Sequence, residues 1–408
     1  MSTLKADSVT ASSGVNTDLS LTGKGTGKVA LGDAALTVPD TDGSANQYLR
    51  TTGEAALEFA TLPAIPAEAF TGFRNLIING DMAVAQRGTS TADLGSGSGY
   101  FTLDRWQFNG SSSGRFTMTQ TADGPSGIAN CMKLDCTTAD TSIAATESLL
   151  IRQHIEGQNL QGFKKGTADA ETFAVSFWAK QNAERDIIVY LSDEDNTRHV
   201  SNLVTVGTSW ARHTITFPAD TTGAFDDDNA KSFYLGFLLH RGSDGTSGTL
   251  ATAWEAYDAT NVAPGIDSFY SSTSNTFFLT GVQLEVGSSA TDFERVPWDY
   301  QLSRCERYYQ TYGMGFRAFG IDASTIDSQF AFRTMMRSSP SVTLLDTTPT
   351  FTQIGVANRT GTSSSITTSA QGPDGTAVVR VDGFSSVGAN SVCIGNQNTP
   401  IFGFSAEL

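Results

Sequence analysis

Six side chains have the chemistry of a saccharide site: Trp178, Tyr190, Tyr234, His240, Gln283 and Glu285. Flat aromatic faces suit the apolar side of a sugar ring, while amide, imidazole and carboxylate groups bond its hydroxyls. All six lie in stretches whose alternate positions are apolar. In FAVSFWAK, Phe173, Val175, Phe177 and Ala179 share a face and leave Trp178 on the other. DIIVYLSD sets Ile187, Val189 and Leu191 opposite Tyr190. SFYLGFLLH sets Phe233, Leu235, Phe237 and Leu239 opposite Tyr234 and His240. FFLTGVQLEV sets Val282, Leu284 and Val286 opposite Gln283 and Glu285. If these strands share a sheet, the six form a polar-aromatic surface of the kind a glycan uses. The plain alternative is a face covered by loops or neighbouring subunits, or an amphipathic surface without a ligand.

Other constellations read as scaffold. Asp104, Arg105 and Trp106 are expected to lock strands together, and Glu294-Arg295 before Pro297 has the same reading. The acidic runs DEDN (Asp193–Asn196) and DDDN (Asp226–Asn229) carry enough oxygens for calcium. They lack the glycine and distal glutamate of an EF-hand and fall where hairpin loops belong, so solvated loops are expected, with no cofactor and no metal site. No catalytic residue is assigned. His154, His199, His213 and His240 are scattered, and GSGSG (Gly95–Gly99) has no following helix to make a nucleophile elbow. Carboxylates are plentiful, but a paired acid and base cannot be picked out by spacing. Four cysteines (Cys131, Cys136, Cys305, Cys393) are too few to staple 408 residues, and free thiols are expected.

The elements that must position these groups are strands. Charged residues are only 17% of the chain, with Gly 40 and Phe 25, a balance that favours strand and turn over helix. A net charge of −16 argues against nucleic acid and anionic membrane as partners. No apolar run reaches the length of a membrane span, and MSTLKADSVTASSG lacks the apolar core of a secretory signal. Residues 1–65 hold short apolar runs between Gly and Asp turns, too short to close a core alone. They are expected to form an intertwined β-segment shared between copies. ATLPAIPAEAF gives a linker over 66–72. In FRNLIINGDMAVAQRGTS, Leu76, Ile77 and Ile78 read as a buried strand and Asn79-Gly80 as its turn. Strand-like stretches continue to Pro297, predicting an antiparallel jelly-roll sandwich over 73–297. VPWDYQLSRCERYYQTYG predicts a connecting helix over 298–313, capped by Asp299 and ended by Gly313. A small β-domain over 314–408 follows, with Pro340 at a strand start. The fold class is all-β.

FRNLIINGDMAVAQRGTS followed by YFTLDRWQF resembles the opening of a domain found in bacteriophage tail fibres and related virion appendages. LLIRQHIEGQNL, FAVSFWAKQ and the long LTGVQLEVGSSATDFERVPWDYQLSRCERYYQTY are similar as well, and DGSANQYLRTTGEAALEFA and MRSSPSVTL resemble recurrent pieces of the same proteins. The resemblance implies a homotrimeric virion component whose sandwich, similar to carbohydrate-binding modules, faces the host. It also implies assembly in the host cytoplasm and attachment to other tail proteins through residues 1–65. Host surface polysaccharide is the partner it implies, and adhesion rather than catalysis the role. A structural tail adaptor without a ligand is the alternative, and a polysaccharide depolymerase the third.

Overall fold

A computed structural model describes residues 30–31, 36–37, 44, 47–51, 57–61, 73–362, 364–371 and 375–408. The linker expected over 66–72 lies outside the described residues, as do residues 1–29. The chain divides into two compact units, Met1–Ala69 and Phe70–Leu408. In the first, β1 (Ala30–Leu31) pairs antiparallel with β2 (Leu36–Thr37), and β3 (Gln47–Thr51) with β4 (Leu57–Thr61). Arg50 and Glu58 pair across the second hairpin, 2.7 Å apart.

The second unit opens with an antiparallel sandwich. Its strands are β5 (Ser90–Tyr100), β6 (Gln107–Thr121), β7 (Cys131–Thr138), β8 (Ser148–Glu156), β9 (Phe173–Gln181) and β10 (Arg185–Asp193). They continue with β11 (Arg198–Val206), β12 (Ala211–Phe217), β13 (Lys231–Arg241), β14 (Glu255–Ala256) and β15 (Thr276–Val286). Hydrogen bonding runs β12-β9-β15-β7-β6-β8-β13-β10-β11-β14, with β5 also on β6. The long strand β6 serves both walls: Gln107–Ser111 pair with β8, and Arg115–Thr121 pair with β7. Between those registers lies Ser112-Ser113-Gly114, where small residues let one strand turn from sheet to sheet. A Cβ on Gly114 would stand 2.4 Å from the Tyr270 ring, so the close approach needs glycine. The walls meet through the predicted apolar faces. Phe173 of β9 stacks on Phe233 of β13 at 5.7 Å, and Phe177 meets Phe237 edge-on at 5.0 Å. The fold is therefore all-β and jelly-roll-like, as its alternation predicts.

Leu76, Ile77 and Ile78 are not a regular strand. β7 pairs with β15 only as far as Leu279, and residues 75–80 take the place beside β15 beyond that point. Leu76 N–H donates to the Leu284 carbonyl and Val282 N–H to the Gly80 carbonyl, both at 3.0 Å. Side chains supply the rest: Asn75 bonds the Leu284 N–H and the Val282 carbonyl, and Gln153 bonds both backbone groups of Ile78. A positive φ of 59° at Asn79 makes the predicted turn. Gly80 is needed for space, since a Cβ there would stand 2.2 Å from the Val282 carbonyl oxygen.

Helix α1 spans Trp298–Glu306, shorter than the expected 298–313, with Pro297 rather than Asp299 at its N-cap. Tyr309–Tyr312 instead form β16, which pairs with β25 (Phe402–Ser405). Aromatic side chains there gain more from pleated packing against Phe402 and Phe404 than from another helical turn. The remaining strands are β17 (Met314–Gly320), β18 (Thr325–Ala331), β19 (Ser341–Leu344), β20 (Thr350–Gln353), β21 (Ala357–Thr360), β22 (Ser365–Gln371), β23 (Thr376–Asp382) and β24 (Val392–Asn396). They form a three-stranded sheet, β16-β25-β19, and a seven-stranded one, β21-β20-β24-β17-β18-β23-β22. Pro340 directly precedes β19, as expected.

Arg105, read as scaffold, clasps this region to the sandwich together with Arg307 and Tyr308, while Asp104 and Trp106 tie the sandwich to its own opening turn. Arg105 is fully buried, pairs with Glu407 and donates to the His154 carbonyl at 2.7 Å. Trp106 Nε1 donates to the Asn79 carbonyl at 3.0 Å. Asp104 accepts from the Gln86 backbone and side chain. Arg307 makes a two-point pair with Glu156 at 2.8 and 2.9 Å, and the Tyr308 hydroxyl bonds the same carboxylate. All four cysteines are buried and free.

Candidate functional site

The six residues expected to share an exposed surface do not form one. Trp178, Gln283 and Glu285 stand on β9 and β15 in one wall; Tyr190, Tyr234 and His240 stand on β10 and β13 in the other. Five of the six are buried. Tyr190 and Tyr234 lie 5.5 Å apart and are covered by Val262 and Ala263, with Leu250 and Ile266 at the rim. His240 is held by Ser268 Oγ at 2.8 Å and Glu147 Oε2 at 3.2 Å. Gln283 donates to Glu285 at 2.7 Å and accepts from the Glu294 N–H, also at 2.7 Å, while Glu285 accepts from the Thr291 N–H at 2.8 Å. Alternation identified the faces turned from the core, but it carries no sign of the loops laid over them. Trp178 alone remains half-buried.

The acidic runs resolve differently from one another. Asp193 is fully buried, and its cation is Lys165. The Lys165 ammonium stands 2.5 Å from Asp193 Oδ2 and 3.1 Å from Asp220 Oδ2, and donates to the carbonyls of Thr222 (2.7 Å) and Gly223 (2.8 Å). Asp226–Asp228 are exposed. Among the described residues, no group of three or more His, Cys, Asp or Glu side chains is placed to hold a metal.

One open feature of this unit lies where the first and last motifs of the sandwich converge. Gln283 and Glu285 buttress the chain after β15, and this segment, the 75–81 turn and α1 enclose a shallow recess with room for about one water. Its lining includes Asn75, Asp81, Phe293, Glu294, Gln301 and Arg304. Glu294 Oε2 accepts from the Asn75 N–H at 2.7 Å, so this carboxylate is partly engaged. Burial pushes the Asp81 carboxyl above its ordinary range, against opposing backbone hydrogen bonds and the charge of Arg295. Loss of water lowers the pKa of Arg304, whose half-buried guanidinium makes one long hydrogen bond, 3.4 Å to the Asn75 carbonyl. Among the described residues no carboxylate comes within ion-pair distance of it. The guanidinium lies 6.0 Å from the Tyr300 ring, and Tyr300 stacks on Phe73 at 4.4 Å and 17°. Tyr300 is 37% exposed, Phe73 51% and Trp298, at the start of α1, 60%.

Recess, convergent polar groups, displaced pKa values and aromatic rim together make this the candidate site of the unit. Sequence reasoning missed Phe73, Asp81, Tyr300, Gln301 and Arg304, and read Glu294 as scaffold only. A signal was present: the polar residues of the two most distinctive motifs, some 200 positions apart, had no role in either segment alone.

No family model matches the sequence, and no curated protein matches it. Three solved structures are similar in part. The enzymatically active domain of tailspike protein 4 from bacteriophage CBA120 aligns at 12% identity and TM-score 0.27, over 52% of this chain and 22% of that one. The family 11 carbohydrate-binding module of the Clostridium thermocellum cellulase Lic26A-Cel5E aligns at 14% identity and TM-score 0.26, over 48% and 99%. TmCBM61 in complex with β-1,4-galactotriose aligns at 10% identity and TM-score 0.28, over 52% and 99%. At these TM-scores none of the three decides the ligand of this chain.

Proposed function

We propose that this protein is a tail-fibre-like virion appendage that adheres to host surface glycan, and that the cleft at Arg304 and Tyr300 is its contact. The observation that carries the glycan reading is the stacked, half-exposed Phe73–Tyr300 pair beside a recess lined by Asp81, Glu294, Gln301 and Arg304. Ring faces and hydroxyl-bonding groups are the two needs of a saccharide site. The tail-fibre reading rests on the sequence motifs, two of which build this cleft. Adhesion would be multivalent: a homotrimer multiplies a weak site into useful avidity. Exposed Ile354, Val356, Val392 and Ile394 in the carboxy-terminal β-region supply apolar surface for contact with other copies or with tail proteins. That surface also favours the second reading, a tail adaptor with no ligand of its own.

The test is adsorption of the labelled, assembled protein to host-range cells with soluble surface polysaccharide as competitor. Saturable, competed binding that Tyr300→Ala weakens supports the cleft. Binding untouched by Tyr300→Ala moves the site elsewhere, and absence of binding favours the adaptor. Release of reducing ends from the polysaccharide would replace adhesion by hydrolysis.

A further inference from the structure

We infer that Arg304 anchors a carboxylate, so that the glycan recognised at this cleft is acidic. The inference rests on the glycan reading and specifies its ligand class. Size is the first argument. Small-molecule sites run to roughly 300–1,000 Å3, and the enclosed part of this recess has room for about one water, so no sugar ring enters it. It admits one oxygen of a ring substituent, with the ring itself lying outside against Tyr300.

Charge is the second. A guanidinium carries five N–H donors, and Arg304 commits one of them, over 3.4 Å, to a neutral carbonyl. Other cations of this unit are better satisfied: Arg105 on Glu407, Arg307 on Glu156, Lys165 on Asp193 and Asp220. Two carboxylates, Asp81 and Glu294, line the same recess without an ion pair to Arg304. Glu294 takes the Asn75 N–H while its charge also acts on Arg304, and burial raises the Asp81 pKa above its ordinary value. An incoming carboxylate would accept two parallel N–H bonds from Arg304, the strong geometry for this pair. The net charge of −16 does not prevent it, because charges beyond a Debye length of about 8 Å are screened at physiological salt.

The test uses glucuronate and galacturonate against glucose and galactose, titrated into the full-length protein by calorimetry, with Arg304→Gln, Arg304→Lys and Tyr300→Ala alongside. Thermal unfolding checks that each variant is folded. The uronates should bind about tenfold or more tighter than the neutral sugars, as expected for a charge-assisted pair. Added salt should narrow that margin, Arg304→Gln should abolish it and Arg304→Lys should retain part of it. Tyr300→Ala should weaken both sugar classes alike. Equal binding of uronate and neutral sugar, or a preference that survives Arg304→Gln, overturns the carboxylate anchor and leaves the glycan reading standing. If none of the four sugars binds up to about 0.1 M, where even a weak site would register, both readings fall.

Discussion

Lys165 and Arg304 are both cations withdrawn from bulk water in the same compact unit, and the chain treats them in opposite ways. Lys165 is 0% exposed at its side chain and enclosed by two carboxylates and two carbonyl oxygens. Arg304 has one long bond to a carbonyl and opens onto a cleft. Burying a charge is tolerable when its partners are supplied internally, and the full set around Lys165 marks a closed structural device. A half-exposed cation without an ion pair at a concave surface keeps its donors open to solvent or to a ligand. The contrast separates scaffold from site more sharply than burial does.

The largest expected effect comes from deleting the satisfied cation. Lys165→Met leaves Asp193 and Asp220 in a sealed pocket without their ammonium, and breaking a buried pair in this way costs about 3–5 kcal/mol. Arg198, 2.7 Å from Asp220, softens the loss on that side only. Urea unfolding measures it directly; a loss below about 1 kcal/mol, the scale of a surface pair, would show that the enclosure is incidental.

A buried base is managed in a third way, by being kept neutral. Burial lowers His154 from 6.5 to about 4, against the pull of Glu194 at 3.2 Å. Between those values the unfolded chain takes up a proton that the folded chain refuses. The stability is thus fully present above pH 6.5 and is lost as the pH falls through about 4. Linkage puts the loss on the order of 3 kcal/mol. Asp104, raised to about 6 by burial, works in the opposite direction over part of this range. Comparing His154→Gln with the wild type at pH 7 and pH 4 cancels that contribution, and the variant should show the shallower decline.

Gly80 tests whether the recess depends on the irregular segment beside β15. Its replacement by alanine puts a Cβ 2.2 Å from the backbone carbonyl of Val282, so the 75–81 turn must move. Overpacking of this kind costs about 1–3 kcal/mol. Because Asn75 and Asp81 lie on the same turn, ligand binding should fall with stability. Binding that persists unchanged would detach the site from this wall.

What the sequence shows and what it hides divide along the same line. Phe173, Phe177, Phe233 and Phe237 announce their walls because alternation reports which side of a strand is apolar. Tyr190 and Tyr234 were misplaced as surface because the cover, Val262 and Ala263, comes from a loop without periodicity. Tyr309–Tyr312 read as helix because their strand partner, Phe402–Ser405, lies some 90 residues downstream. The cleft is hidden for the same reason. Asp81 and Arg304 meet only after residues 75–80 have replaced β7 beside β15, a long-range pairing with no local signature.

The smallest expected effect is the one that decides between the two kinds of cation. Arg304→Met removes a guanidinium that the folded chain has partly withdrawn from water and given no ion pair. Its methylene stem is replaced by an apolar side chain of similar reach, so packing beside Tyr300 is kept. Replacing a half-buried charge that makes no ion pair by a hydrophobe costs little. The unfolding free energy should therefore stay within about 1 kcal/mol of the wild type or rise, while uronate binding disappears. Lys165→Met and Arg304→Met are the same substitution of a long cation by a hydrophobe, and they should differ in sign or in scale. A loss for Arg304→Met as large as that for Lys165→Met would mean that Arg304 is held by the fold as firmly as Lys165, and that its sparse hydrogen bonding is no sign of a ligand.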